Sequence, residues 1–412
     1  MIDLERLTLG ALSQKAAAHF RNRLAFALYR DGHTFRRITY GEWGLRTRQF
    51  GGMLRTLGLK TGDRVLILAE NCPEWPIVYF GAALGGFVSV PVLLAFSPEQ
   101  IKTIGDHAGV AALCVTEKTC SKIAQAGIDP AIPRVYMDTL TEPDRVPGIR
   151  VSIQGREKRI PLGPGEGDWF PEIQEDDLAS LWYTSGTTGA SKGVMLSHRN
   201  LVFTAKASGS LMRIFPRDRL LSVLPLAHTY ECTLGLVAAL MSGASITYLD
   251  RPPAPAALLE AMQSLRPTAM VTVPIFIEKL YQSRIAPALK ANPLYRFPLT
   301  RFLAIKIAGY KLMGAFGSSI RFFGIGGTAL SPEVETFLRK AQFPYAPGYG
   351  LTETSPLVAG TAPYQFSAGS VGRLLTGVEV RISDAAGEDE GHPAGEIQVR
   401  GPNIMQGYYR DP

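Results

Sequence analysis

The stretch Trp182-Tyr183-Thr184-Ser185-Gly186-Thr187-Thr188-Gly189-Ala190-Ser191-Lys192-Gly193 decides how the rest of the chain is read. It follows the apolar run Leu178–Tyr183, which reads as a strand, and precedes a helix expected to begin near Ser197. Gly186, Gly189 and Gly193 let the backbone turn tightly and expose N–H groups. The hydroxyls of Thr184, Ser185, Thr187 and Thr188 can donate to phosphate oxygens, and Lys192 adds a compact positive charge. The spacing is not that of the common phosphate loop G-x-x-x-x-G-K-[ST], because five residues separate Gly186 from Lys192 and a glycine follows the lysine. A strand, loop and helix carrying these residues predict a site for a phosphorylated ligand in an α/β fold.

Outward from this loop the same alternation continues. Arg64–Ala69, Phe87–Leu94 and Ala111–Thr116 read as strands upstream, and Leu220–Leu224, Ala244–Leu249, Ala269–Val273 and Ile320–Phe323 downstream. Runs that are apolar at successive positions suit parallel strands buried on both faces. Between them, Ser97-Pro98-Glu99-Gln100 combines an N-cap serine, a proline at the first helical position and a capping-box glutamine; Ser331-Pro332-Glu333 repeats the serine–proline start. The expectation is a layered α/β fold with mainly parallel sheets and crossover helices. About the last sixty residues differ: Gly372–Ile382, Gly395–Val399 and a turn at Gly387–Gly391 read as short strands and hairpins, a small β-rich subdomain.

Composition bounds the function. The 412 residues are 46% hydrophobic and 19% charged, enough to bury a large core, which excludes a disordered chain. Gly (42) and Pro (29) make up about a sixth of the chain and exclude coiled coil. The start, with Asp3 and Glu5, does not read as a signal peptide. The longest apolar stretch, Tyr79–Phe96, is interrupted by Gly81, Gly85, Gly86, Ser89 and Pro91 and reads as a buried helix followed by a strand. Cys72, Cys114, Cys120 and Cys232 show no C-x-x-C spacing and read as buried thiols of a reducing, cytoplasmic compartment. The net charge of +7 is concentrated: Leu280–Pro332 contains no Asp or Glu but holds Arg284, Lys290, Arg296, Arg301, Lys306, Lys311 and Arg321. No aromatic–basic RNA motif or zinc finger accompanies it, so the expected partner is not nucleic acid. An anionic substrate or an anionic lipid surface fits better, and peripheral contact with the inner face of a membrane through residues 280–332 is the expectation.

Tyr183–Gly193 (YTSGTTGASKG) closely resembles the phosphate loop of the acyl-adenylate-forming, AMP-binding superfamily, which includes acyl-CoA synthetases, firefly luciferase and peptide-synthetase adenylation domains. Four further stretches match in order: Leu224–Glu231 (LPLAHTYE), Gly324–Leu330 (GIGGTAL), Gly348–Thr354 (GYGLTET) and Gly395–Asn403 (GEIQVRGPN). The resemblance covers essentially the whole chain. It implies that residues 1–412 are the large N-terminal domain of that fold, with layered α/β subdomains over about 1–350 and a β-rich, barrel-like subdomain over about 351–412. It also implies a mobile C-terminal domain, absent from this sequence, that supplies a ribose-binding aspartate and a catalytic lysine.

By the same resemblance, Thr184, Ser185, Gly186, Thr187, Thr188, Gly189 and Lys192 would hold the β- and γ-phosphates of ATP. Glu353 with Thr184 would hold Mg²⁺, Thr352 would contact the α-phosphate, and Tyr349 would stack on adenine. Gly326, Gly327, Thr328 and Gly350 would complete the nucleotide site, with Gly326 and Gly327 also letting the acyl carboxylate approach the backbone. His228 would sit at the mouth of the acyl pocket. Thr184, Lys192, His228, Thr352 and Glu353 are thus the candidate catalytic residues.

The implied reaction joins a carboxylic acid to ATP as acyl-AMP, with pyrophosphate released, and then transfers the acyl group to coenzyme A. LPLAHTYECTLG lacks the aspartate that binds an amino-acid amine. Together with Val273–Tyr281 (VPIFIEKLY) it looks most like the long-chain fatty acyl-CoA synthetases, so the expected acid is a medium- to long-chain fatty acid. An aryl acid is the alternative, as is a regulatory or non-catalytic nucleotide-binding fragment, since the chain alone is expected to turn over poorly. A dinucleotide site is a weaker reading: Gly324–Ala329 fits G-x-G-x-x-[GA], but Gln342–Pro347 offers no acidic residue at the required distance.

Overall fold

Val65 and Ile67 pack into one hydrophobic cluster and Leu66 and Leu68 into another; Leu220 and Leu221 divide in the same way. Each of these strands is therefore apolar on both faces, and each face must be covered. In the computed structural model, which describes residues 1–140, 148–163, 170–185, 191–250, 255–365, 367–389 and 392–411, the result is two sheets separated and flanked by helices.

Among the described residues the larger sheet has nine strands. From edge to edge they are Arg373–Leu374, Ala359–Gly360, Tyr345–Tyr349, Phe322–Ile325, Ala269–Thr272, Arg219–Ser222, Ser245–Leu249, Leu24–Arg30 and His33–Thr39. The six from Tyr345–Tyr349 to Leu24–Arg30 pair in parallel, and the outer strands pair antiparallel. The second sheet has eight strands, in the order Ser191–Ser197, Leu178–Ser185, Val88–Pro91, Arg64–Leu68, Val110–Val115, Arg134–Tyr136, Ile149–Ile153 and Arg156–Ile160.

Between the sheets lie the helices Leu9–His19, Tyr40–Thr56, Glu74–Leu84 and His198–Ala207, which share one core with the inner faces of both sheets. Trp43, Trp75, Tyr79 and Phe80 fill this layer, with Trp43 and Phe80 edge to face at 5.1 Å between ring centroids. Pro98–Ala108 and Glu117–Ala126 cover the outer face of the smaller sheet. Pro255–Leu265, Pro274–Leu280, Pro298–Ala315 and Pro332–Lys340 cover that of the larger one.

The local signals translate directly in most places. The apolar stretch Tyr79–Phe96 holds the end of the fully buried helix Glu74–Leu84 and then the strand Val88–Pro91. Ser97 Oγ accepts from Gln100 N–H at 3.3 Å and Gln100 Oε1 accepts from Ser97 N–H at 2.8 Å, closing the expected capping box. The helix after Ser331 begins where its proline predicts, but the Ser331 hydroxyl does not cap it; Glu278 instead accepts the Ser331 N–H at 2.8 Å. Beyond the sheets, Glu379–Asp389 and His392–Arg400 form an antiparallel hairpin, and part of the expected Gly387–Gly391 turn lies outside the described residues. The chain then returns to the smaller sheet: Tyr409 N–H donates to Gly193 O at 2.8 Å and Met195 N–H to Gly407 O at 3.0 Å.

His198 ties this layering together. It is buried at the start of its helix, and its Nδ1 accepts the Leu9 N–H at 3.3 Å, which requires the neutral ring. Burial pushes the imidazole down from its usual 6.5 to about 4, against a smaller opposing pull from Asp177. The unfolded chain takes up this proton below pH 6.5 and the folded chain only near 4. The stability held above pH 6.5 is therefore lost as pH falls through that window, by about 3 kcal/mol for this one group. Unfolding free energies of wild type and His198→Gln, measured between pH 7 and 4, should converge by that amount. Parallel curves would show that this histidine does not titrate as described.

Candidate active site

The residues singled out above stand where strands end. Thr184 lies at the end of Leu178–Ser185, directly opposite Lys192 on the antiparallel strand Ser191–Ser197. Gly186, Thr187, Thr188 and Gly189 lie outside the described residues. His228 follows the strand Arg219–Ser222, Gly326 and Gly327 follow Phe322–Ile325, and Gly350, Thr352 and Glu353 follow Tyr345–Tyr349. These ends meet in a cleft of about 850 Å³ lined by Thr184, Lys192, His228, Gly326, Gly327, Tyr349, Gly350, Thr352 and Glu353. Thr328 lines an adjoining cleft of about 340 Å³, which shares Gly327, Tyr349 and Gly350 with the first. Tyr349 thus stands between two openings, where a flat ligand could lie against its ring.

The turn carrying Thr352 and Glu353 is tightly determined. A Cβ at Gly350 would fall 1.7 Å from the Pro356 carbonyl oxygen, so nothing larger than glycine fits. Gly327 has φ +97°, a conformation that side chains rarely adopt. From behind, the fully buried Asn403 donates to Thr354 O at 3.3 Å and to Leu357 O at 3.1 Å, while Met405 N–H donates to Glu353 O at 2.9 Å. The GEIQVRGPN stretch therefore acts on the cleft through Asn403, as a brace under the GYGLTET turn.

Tyr408 is a cleft residue that the motifs did not single out. Its hydroxyl donates to Glu353 Oε1 at 3.0 Å, and Lys192 Nζ lies 4.8 Å from its ring centroid. Burial, then the Glu353 carboxylate beside it, raises the phenol above its usual value and keeps it a donor. Lys192 also pairs with Asp411 at 3.1 Å. In the sequence Tyr408 stands shortly after Asn403, outside the matched stretches. A hydroxyl (Thr184) and one carboxylate (Glu353) facing a cleft suit Mg²⁺, which takes its remaining ligands from phosphate and water. Lys192 adds a positive charge to the same cleft.

The loop Leu224–His228 is held from both sides. Asn71 Nδ2 donates to Leu224 O at 2.6 Å and to Ser222 Oγ at 3.0 Å, and Asn71 Oδ1 accepts the Leu226 N–H at 2.8 Å. Glu231, 1% exposed, opens a wide-turn (π) helix, Glu231–Val237, and accepts from the Ser222 hydroxyl and the Leu224 N–H. Burial pushes its carboxyl up to about 8, so it is protonated at neutral pH. His228 sits exposed at the mouth of the cleft, with Nδ1 accepting the Tyr230 N–H at 3.2 Å. Asn71 carried no sequence signal of its own, and Glu231 closed the matched stretch Leu224–Glu231 without a role assigned to it.

Tyr230 forms the floor. It lines the large cleft and also a pocket of about 30 Å³ behind it, among Leu211, Met212, Leu234, Val271, Phe322 and Ala346. A Cβ at Gly324 would lie 3.1 Å from its hydroxyl oxygen and one at Gly326 3.2 Å from its ring, so glycines give this tyrosine its place.

Residues 13–409 match the AMP-binding enzyme family. The peroxisomal long chain acyl-CoA synthetase 6 of Arabidopsis thaliana is 32% identical over 407 residues, covering 91% of this chain and 57% of its own. 4-Coumarate–CoA ligase 1 of Solanum tuberosum is 30% identical over 401 residues, covering 93% of this chain and 66% of its own. The chain thus spans less than two thirds of the length of these relatives. ATP-bound MatB from Rhodopseudomonas palustris aligns with a TM-score of 0.72 at 25% identity, over 98% of this chain and 72% of that one. With all but the ends of the chain inside the family match, and with strand ends gathering its ordered motifs around one cleft, the protein is a member of the AMP-binding enzyme family.

Proposed function

We propose that this chain is the larger part of an AMP-forming acid–thiol ligase that activates a medium- to long-chain fatty acid with ATP and passes it to coenzyme A. The observation that carries the reading is the cleft itself, where Thr184, Lys192, His228, Tyr349, Thr352 and Glu353 arrive from separate strand ends. A carboxylate is a poor acyl donor because oxide is a poor leaving group. Its attack on the α-phosphate of ATP makes acyl-AMP and expels pyrophosphate, a step that needs charge stabilisation and positioning rather than covalent help. Mg²⁺, when bound, would neutralise phosphate charge. Thr184 and Glu353 would hold it, with Tyr408 orienting the carboxylate. Lys192 would meet the β- and γ-phosphates, exchanging its pairing with Asp411 for them. Thr352 would contact the α-phosphate, Tyr349 would stack on adenine, and His228 would guide the acid at the cleft mouth.

The acyl chain would pass Tyr230 into the apolar pocket behind it, which as it stands has room for little more than a water molecule. A long chain therefore requires Tyr230 to swing aside. This small volume, with the 4-coumarate–CoA ligases among the relatives, favours an aryl acid as the second reading. The full reading includes a mobile C-terminal domain, supported by the greater length of the relatives, and a cytoplasmic enzyme working against a membrane through residues 280–332.

Calorimetry with non-hydrolysable acyl-AMP mimics carrying two, eight and sixteen carbons tests the acid. Each methylene buried contributes about 0.8 kcal/mol, so affinity should rise roughly fourfold per methylene that enters the pocket. Tyr230→Ala should steepen that rise for the longest mimic and leave the two-carbon mimic unchanged. A flat series, or an aryl mimic bound above all three, rejects the fatty-acid reading and keeps the adenylate site.

Glu353→Gln separates metal binding from nucleotide binding. ATP affinity measured with and without Mg²⁺ should lose its Mg²⁺ enhancement in the variant while affinity without the metal holds. An undiminished enhancement would remove Glu353 from the metal site.

A further inference from the structure

The helix Pro298–Ala315 presents an apolar face that nothing among the described residues covers. Leu299 is 97% exposed, Tyr310 80%, Phe302 63% and Leu303 50%, and the preceding Phe297 is 65% exposed. On a helical wheel Leu299, Leu303 and Tyr310 fall within about 40° of one another, with Phe302 and Ile307 to either side. The opposite face is fixed, with Ala304, Ile305 and Leu312 buried, and on the flank a Cβ at Gly309 would meet the Ala341 carbonyl oxygen at 2.8 Å. The helix is thus clamped to the body of the protein, and no helix among the described residues is long and apolar enough to cross a membrane.

The charges carried by the segment Leu280–Pro332 itself are of one sign. Of the seven basic residues between Leu280 and Pro332, Arg321 is turned inward against the buried Asp218. Arg284, Lys290, Arg296, Arg301 and Lys311 are exposed, Lys306 is half-buried, and none forms an ion pair with an acidic side chain among the described residues. Arg301 Nε donates to Tyr295 O at 3.1 Å and Lys306 lies 5.4 Å from the Phe302 ring centroid, so both stems run beside apolar surface while their charge faces out. Large exposed apolar patches on soluble proteins mark interaction sites. A second copy meeting this face across a two-fold axis would set the same cations against each other. A flat, negatively charged surface with an apolar interior fits both features at once.

We propose that Pro298–Ala315 is the docking element, lying in the plane of an anionic bilayer with Leu299, Phe302, Leu303 and Tyr310 below the headgroups and Arg296, Lys306 and Lys311 among them. This rests on the membrane-facing part of the proposed function and not on which acid is activated. Docking here brings the protein to the phase into which a long acyl chain partitions, and because the face is preformed it costs no folding on contact.

The test is sedimentation of the chain with vesicles of phosphatidylcholine, with and without phosphatidylglycerol, in the absence of nucleotide. Binding is expected to the anionic vesicles alone and to weaken as salt rises. Arg296→Glu/Lys306→Glu/Lys311→Glu should reduce it by at least about fivefold per charge lost. Leu299→Gln/Phe302→Gln/Leu303→Gln should abolish it, and both variants should bind acyl-AMP mimics as wild type does, since none of these residues lines the cleft. Absence of vesicle binding, equal binding to neutral vesicles, or a concentration-dependent dimer lost in the glutamine variant would overturn the proposal. Vesicle binding without any mimic binding would leave it standing and reject the ligase reading instead.

Discussion

Parallel pairing in the larger sheet is the constraint on which the site depends. Val271 is level with Gly324, Gly324 with Ala346, and Ile325 with Pro347, so the strands end together and their following loops emerge along one edge. Gly326 N–H donates to Thr272 O at 3.1 Å, carrying the ladder into the glycine turn. Parallel strands require a crossover before the next can pair, and the crossover helices occupy the sheet faces. The strand ends are left for ligands, as in other open α/β sheets. A slip in this register would separate Gly326 from Tyr349 and Glu353 without altering any of those residues.

Thr184 and Lys192 come from the other sheet, and a strap of chain holds them against this edge. Residues 401–411 join the two: Met405 bonds to the Glu353 carbonyl, Tyr409 to the Gly193 carbonyl, and Tyr408 reaches the Glu353 carboxylate between them. Buried polar side chains fix what the strap does not. Asn403 and Asn71 each satisfy backbone groups that would otherwise be left without partners, at a cost of about 1–3 kcal/mol apiece. Glu231 meets the same demand as a neutral acid, which spares the core a buried charge. The cleft is thus lined by loops whose conformations are over-determined, and this matches a reaction that depends on positioning.

Much of this was legible in advance because its causes are local. Apolar runs in Arg64–Ala69 and Ala269–Val273 are strands because their side chains find cover on both faces, and the Ser97 capping box forms because its partners lie three residues apart. Other features had no local cause. Ser191–Ser197 is polar at its start and reads as a continuation of the loop, yet it is a strand because Leu178–Ser185 offers it an edge. Ser331 begins its helix but does not cap it, since the carboxylate that meets its N–H belongs to Glu278, far away in sequence. The roles of Tyr408, Asn71 and Glu231 were hidden for the same reason, since these are ordinary residue types until the fold supplies their partners.

Order and chemistry of the motifs, the layered α/β class and the concentration of positive charge over 280–332 all follow from residue types at short spacing, where sterics and periodicity act within a few bonds. The sharing of one core by both sheets, the strap that brings Tyr408 to Glu353, the tyrosine closing the apolar pocket and the turning of Arg321 toward Asp218 depend on contacts between residues tens to hundreds of positions apart. Such contacts exist only once chain entropy has been overcome by burying the whole core, so short-range pattern carries no record of them.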